Sequence, residues 1–490
     1  MSHWLDRRCS GILLHISSLP GPQPCGVLGE EARIFLDFLV ESGFSVWQFL
    51  PLGPTHGHGS PYESLSSFAG NPEFIDLRDC LNRGWIEDST YQSMLQGVIT
   101  PEVARIAAAG RFWAQVENDR KLADEIEAFE TSHRAWLDDY ALFSALKKSH
   151  NYQPWWQWSE PLRDRLPDAI AEARETHAGF IRKTVFEQYI FSGQWQALKN
   201  HAESRGIQMF GDLPIYVSHD SSDVWCDRHH FTLNRDGLCE EVAGVPPDYF
   251  SDTGQRWGNP LYRWESMQND GFQWWINRVR AQLERMHLMR IDHFRGLEAY
   301  WAIPGDRQDG KVGQWRKAPG AALLEALKNE FGALPFVAED LGLITPEVDA
   351  LRHRFGLPGM KVLQFSFGGD AYNPYLPHNH EPDSVAYTGT HDNDTTQGWF
   401  QSAPEHVRKH LLDYLQTSPD DMPWSLIRTA LASVSKLAII PMQDLLSLGT
   451  EARLNMPATV EGNWSWRLGD GDISADIRVR TNALNRLYGR

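Results

Sequence analysis

The stretch His287-Leu288-Met289-Arg290-Ile291-Asp292-His293-Phe294-Arg295-Gly296 decides the fold. Leu288, Met289 and Ile291 form a short apolar run with a helical pattern before it and a glycine after it, which suits a buried strand of a parallel sheet. Asp292 then stands at the C-terminal end of that strand, where barrels and open α/β sheets hold their chemistry. Side chains alternate along a strand, so Arg290 points to the same side as Asp292, and its cation favours the ionised carboxylate. Taken alone, the stretch reads equally well as a structural ion pair.

Two further stretches shift the balance. Phe336-Val337-Ala338-Glu339-Asp340-Leu341-Gly342 is again an apolar run that ends in carboxylates and a glycine turn, and Ser384 to Asp394 begins strand-like, passes Gly389 and ends in Asp392 and Asp394. Three parallel strands that each finish in an acid place three acids on one rim, which a solvated charge cluster does not require.

Outward from these, apolar runs at Ser10–Ile16, Ser45–Leu50, Ile207–Ile215, Gly359–Phe365 and Lys436–Pro441 bring the strand count to eight. Helical spacing covers Gly29–Gly43, Gly271–Met286 and Ala321–Phe331. The fold class is therefore α/β, a (β/α)8 barrel spanning residues 1–490 as one catalytic unit, with no separate C-terminal β domain and with the stretch after Gly449 closing the barrel. Residues 76–206 show helical patterns, such as Trp136, Tyr140 and Phe143, and no convincing strand, so they are expected to form a helical insertion. Residues 213–270, rich in Gly, Pro and aromatics, are expected to form a loop subdomain near the active site. A smaller insertion is expected after the Asp292 strand.

Composition narrows the function. Hydrophobic residues make 42% and charged residues 22%, ordinary for a soluble enzyme, while 20 Trp among 490 residues give a modest lean toward sugar stacking. A net charge of -18 argues against nucleic acid as a partner. Cys9, Cys25, Cys80, Cys226 and Cys239 are odd in number and form no Cys-x-x-Cys pair, which fits a reducing cytoplasm and neither a disulfide framework nor a zinc site. No apolar run approaches a membrane span, so no membrane association is expected. Oligomeric state is not legible.

With strands four, five and seven ending in Asp292, Glu339 and Asp392, the chain resembles the α-amylase clan, and more closely the amylomaltases, which are 4-α-glucanotransferases or disproportionating enzymes. The resemblance runs through GILLHISSLP (11–20), GSPYESLSSFAGNP (59–72), GDLPIYV (211–217), GVPPDYFSDTGQRWGNPLYRW (244–264), MRIDHFRG (289–296), VAEDLG (337–342), GTHDNDT (389–395) and EGNWSWR (461–467). One departure is Ala458, where the family's pattern has Gly. The resemblance implies that Asp292 is the nucleophile, Glu339 the general acid/base and Asp392 the transition-state stabiliser of a retaining transfer between α-1,4-glucan donor and acceptor oligosaccharides, without metal or cofactor. It also implies that Asp212 supports Arg290. Asp340 is the rival acid, but alternation sends it away from the side that Glu339 faces. Substrate-binding candidates are Tyr62, Asp212, Tyr249, Phe250, Trp257, Arg290 and His391, whereas Trp464 and Trp466 read as packing. His293 and His391 beside the acids give only a weak metal signal. The loop 244–260, with Tyr249, Phe250 and Trp257 among its glycines, is the candidate holder of the acceptor. An α-glucan hydrolase using the same acids and a catalytically silent glucan-binding protein are the alternatives.

Overall fold

The structure is a computed structural model that describes residues 7–247, 252–459 and 461–490. Its centre is a parallel sheet of eight strands: β1 Cys9–Leu13, β2 Val46–Gln48, β3 Gln208–Pro214, β4 Leu288–Asp292, β5 Phe336–Ala338, β6 Gly359–Val362, β7 Ser384–Tyr387 and β8 Leu437–Pro441. Neighbours pair in the order β6-β7-β8-β1-β2-β3-β4-β5. The Ala338 N–H donates to the Pro358 carbonyl at 2.8 Å, which brings β5 against the start of β6 and rounds the sheet into a barrel. The eight strands are those read from the sequence. Several end sooner than expected: β2 stops at Gln48 and β3 at Pro214, while β1 at Leu13 and β6 at Val362 each give way to a short 3₁₀ turn, Ile16–Ser18 and Leu363–Phe365. Leu14, Ile16 and Leu363 beyond those ends are still buried and apolar, so composition does not mark where pairing stops.

Alternation sorts the strand residues into two cores. Leu13, Val46, Phe210, Leu288, Val337, Met360, Val385, Tyr387, Leu437 and Ile439 meet inside the barrel. Ile12, Trp47, Met209, Met289, Ile291, Ala338, Ala438 and Ile440 face the helices. The interior is tight at Gly11, where a Cβ would come within 2.4 Å of the Val46 carbonyl oxygen and 2.9 Å of Ile439. On β4 this parity puts Leu288, Arg290 and Asp292 on the inner side.

Between β2 and β3 the chain from Leu77 to Ser204 contains helices and no strand, the longest being Arg120–Ser149 and Ala178–Ser204. Asp119 caps the first by accepting from the Lys121 and Leu122 N–H groups. The second helix returns to the barrel, with Trp195 edge-on to Phe49 at 5.2 Å. Arg105 and Lys183 both reach the buried Glu187, each at 2.8 Å, so these helices are tied together by a paired charge.

The connections after β3 and β4 differ from the loop reading. Glu241–Val245, Gln255–Pro260, Ala299–Pro304 and Gln314–Lys317 form a four-stranded antiparallel sheet. Its signal is hidden because one strand carries Gly258 and Pro260, and Gln314–Lys317 is exposed along its whole length, so no apolar alternation develops in either. After β8 the described residues hold no strand. The segment from Gly449 crosses the C-terminal rim, where Arg467 donates to the carbonyls of Leu19, Gly21 and Gln23. Helix Ala475–Leu487 then lies on helix Glu30–Glu41, and Arg490 donates to the Cys9 and Leu431 carbonyls at the opposite end of the barrel. Among the described residues no helix is long and apolar enough to cross a membrane.

Candidate active site

Arg290 is buried on the inner side of β4 and forks between two carboxylates. Nη1 donates to Asp212 Oδ2 at 2.6 Å across the β3 register, and Nη2 donates to Asp292 Oδ1 at 2.7 Å. The Asp212 side chain is 0% exposed and that of Asp292 29%, so Asp212 completes the buried pair while Asp292 reaches the cleft. Tyr62, from the loop after β2, donates its hydroxyl to the same Asp212 oxygen at 2.7 Å. Burial pushes the Asp292 carboxyl up, Arg290 opposes this, and the charges of Asp212 and Asp392 add to the rise.

Glu339 follows β5 on the inner side. Its Oε2 accepts from the His293 N–H at 2.7 Å and its Oε1 from the Leu341 N–H at 2.9 Å. His293 sits at φ 52°, in the left-handed region that few non-glycine residues adopt. That turn immediately after Asp292 brings its N–H to Glu339 and so sets the two acids side by side. Burial, reinforced by the Asp292 charge, pushes the Glu339 carboxyl up to about 7 against the pull of Arg290 and the two N–H donors. Arg290 hydrogen-bonds Asp292 and not Glu339, so a proton shared by the pair resides on Glu339. Asp340 faces the other way: its Oδ1 accepts from the Met360 N–H at 2.7 Å, and Arg352 lies 3.3 Å from its Oδ2. It is a strut between β5 and β6.

The third acid comes from the loop after β7. Asn393 Oδ1 accepts from the Thr390 N–H at 2.9 Å, closing a tight turn that presents His391 and Asp392. His391 is buried, stacks on Tyr62 at 5.1 Å and 16°, and holds Nε2 3.3 Å from Asp392 Oδ2. Burial pushes the Asp392 carboxyl up, but the charge and hydrogen bond of His391 and the hydrogen bond from Asn455 outweigh it and hold the group well below the usual carboxylate range.

Aromatic rings flank the acids. Trp257, half-buried on the small sheet, stands edge-on to His293 at 4.7 Å. Trp464 lies 6.1 Å from both Tyr62 and His391, and Trp466 turns its carbonyl to the Ser18 hydroxyl at 2.8 Å. Tyr249 and Phe250 lie outside the described residues. Among the described residues no group of three or more His, Cys, Asp or Glu side chains is placed to hold a metal ion. The arrangement can therefore supply a proton donor and an accessible carboxylate held by a buried cation, the pair that cleavage of a glycosidic bond with retention uses, with a third anion beside them.

The sequence model of the 4-alpha-glucanotransferase family matches residues 14–472. The chain belongs to that family. A 4-alpha-glucanotransferase of Thermus thermophilus is 47% identical over 97% of this chain and 98% of its own length, and one from Synechocystis is 44% identical over 99% of each. The amylomaltase of Streptococcus agalactiae, solved in complex with acarbose, superposes with a TM-score of 0.94 at 36% identity, covering 99% of this chain and 100% of that one.

Two residues of this 4-alpha-glucanotransferase site carry no signal in the strand pattern. Asn455 Nδ2 donates to Asp392 Oδ1 at 2.6 Å, and Arg453 Nη2 donates to the Asp392 carbonyl at 2.8 Å. Both come from the segment beyond the last strand, where no periodicity points at the rim. Close by, Ala458 is exposed at φ 64°. Ala458→Gly is expected to relieve the left-handed strain and stabilise the fold by up to about 1 kcal/mol after the added chain entropy of glycine is deducted. For a chain of this length that is roughly 1 °C in Tm. A thermal melt checks it, and an unchanged or lower Tm would show that Ala458 is unstrained.

Proposed function

We propose that the protein transfers α-1,4-linked glucan segments from donor to acceptor maltooligosaccharides by double displacement, with Asp292 as nucleophile, Glu339 as general acid/base and Asp392 as stabiliser of the charged transition state. One observation carries this reading: Asp292 and Glu339 end neighbouring strands, and Arg290 bonds only the first of them. Of the two acids, Arg290 makes Asp292 the easier to ionise, for attack on the anomeric carbon, and leaves Glu339 to hold the proton that releases the leaving oxygen. His391 and Asp392 hold sugar hydroxyls, Tyr62 and Trp257 offer ring faces to the sugar, and Asp212 with Arg290 fixes Asp292. The acarbose bound in the Streptococcus agalactiae amylomaltase supports an oligosaccharide in this cleft. No metal or cofactor enters the scheme. We take residues 1–490 as a single catalytic unit, with 76–206 as an insertion and 213–270 as a subdomain beside the cleft. The five thiols form no disulfide, which supports work in the cytoplasm.

Incubation with maltotriose tests the reading. A ladder of longer and shorter oligosaccharides plus glucose, at constant total linkages, is expected. Net loss of linkages would make the protein a hydrolase, and no change a binding protein. Transfer also requires that a held acceptor hydroxyl reach the glycosyl-enzyme before water does, and positioning supplies that advantage. Tyr249→Ala and Phe250→Ala are expected to lower the ratio of transfer to hydrolysis with little change in Tm. A lowered Tm at an unaltered ratio would assign the loop 244–260 to packing.

A further inference from the structure

We propose that Asn455 is a positioning residue for Asp392, fixing the plane of that carboxylate toward the cleft from a strap that Arg453 ties to the rim. The inference rests on the reading of Asp392 given above. The Asp392 side chain is 45% exposed, and rotation about the final torsion of an aspartate is broad, so the carboxylate plane is set by what its two oxygens bond. Its two oxygens meet different neighbours. Oδ2 has the His391 ring at 3.3 Å, and Oδ1 has the Asn455 amide at 2.6 Å, the shorter contact and a hydrogen bond to a charge.

The strap that presents Asn455 is itself held. The Arg453 guanidinium spans two carbonyls, Asp392 from Nη2 and Asn455 from Nε, each at 2.8 Å, and so gauges the gap between two segments far apart in sequence. Beyond it the Trp464 N–H donates to the Leu454 carbonyl at 2.7 Å, and the Met456 N–H donates to Asn463 Oδ1 at 2.9 Å. The far end is fixed where the Leu468 N–H donates to the Ser18 carbonyl at 2.9 Å. A side chain on such a support acts as a fixed donor. Besides Arg453 at its carbonyl, the charged or titratable groups that act on Asp392 include His391 on its own loop, Arg290 and Asp292 from β4, and Tyr62 from the loop after β2. None of these replaces the donor at Oδ1.

The test compares Asn455→Ala with wild type and repeats the substitution on an Asp392→Asn background, using maltotriosyl fluoride as donor so that low rates are measurable. Loss of one hydrogen bond to a charge is expected to lower kcat roughly 10- to 100-fold, with little change in KM. On the Asp392→Asn background the substitution is expected to cost nothing further. A folded Asn455→Ala enzyme with wild-type kcat would overturn the proposal, as would an equal loss on both backgrounds or a loss that appears in KM and not in kcat. Near wild-type activity of Asp392→Asn alone would instead overturn the role given to Asp392. If Asn455→Ala does not fold, Asn455→Ser gives the reading, and failure of both to fold would assign Asn455 to the fold and overturn the proposal.

Discussion

Asp292→Asn is expected to lower kcat/KM for maltotriose by roughly 10⁴-fold or more while leaving Tm unchanged or raised. The size follows from what is lost: without the carboxylate no covalent bond to the anomeric carbon forms, and binding and proton donation alone leave only residual rate. The intact fold follows from the contacts. The amide oxygen of Asn accepts from Arg290 Nη2 as Asp292 Oδ1 does, and Arg290 keeps its buried partner Asp212. Burial and the charges of Asp212 and Asp392 disfavour an ionised Asp292, so an uncharged isostere removes a cost from the folded state. Steady-state kinetics beside a thermal melt check both halves. A variant that loses activity only in proportion to a loss of folded protein would remove the case for Asp292 as the attacking group.

Glu339→Gln is expected to lose roughly 10²- to 10⁴-fold in kcat/KM with maltotriose and far less in kcat/KM with maltotriosyl fluoride, whose leaving group needs little protonation. Wild-type kcat/KM for maltotriose is expected to fall as pH rises past about 7, where Glu339 gives up its proton. Stability carries the same signature. Glu339 is raised from 4.5 to about 7 in the fold, so folding takes up a proton between those values. Stability is therefore highest below about pH 4.5 as far as this group is concerned, and it declines as pH rises through the window. Gln lacks this dependence, but its amide nitrogen faces one of the two N–H groups that the carboxylate accepts, a constant penalty. The expected observable is thus the difference in Tm between variant and wild type, which should shift in favour of Gln from pH 4.5 to 7 by the equivalent of about 1–3 kcal/mol. A difference that stays flat with pH, or equal losses of kcat/KM with both donors, would show that Glu339 is not the proton donor.

What the sequence made legible follows from what a barrel demands of it. Strands buried on both faces must be apolar throughout, so runs such as Leu437–Pro441 stand out. Period-two alternation then fixed the sides on which Arg290, Asp292, Glu339 and Asp340 lie, because a slip of one residue would bury the wrong set. Contacts made by loops were not legible. Tyr62 reaches Asp212 and stacks on His391 through a connection with no regular period, and Asn455 meets Asp392 across 63 positions. The small antiparallel sheet went unread for the same reason, since its strands lie on two different insertions and its edge strand is polar and exposed. The left-handed turn at His293 is also set by tertiary contact: nothing in a His-Phe pair signals it, and it serves to carry the N–H that Glu339 accepts.

The covalent step at Asp292 is tested most directly by trapping. Glu339→Gln mixed with maltotriosyl fluoride and no acceptor should form the glycosyl-enzyme readily, because fluoride leaves without an acid, and discharge it slowly, because no base remains to activate an acceptor. Mass spectrometry of the intact protein and its peptides is expected to show one maltotriosyl group, located on Asp292. An adduct on another residue, or turnover of the fluoride with no adduct and an inverted anomer as product, would contradict the double displacement and the role given to Asp292.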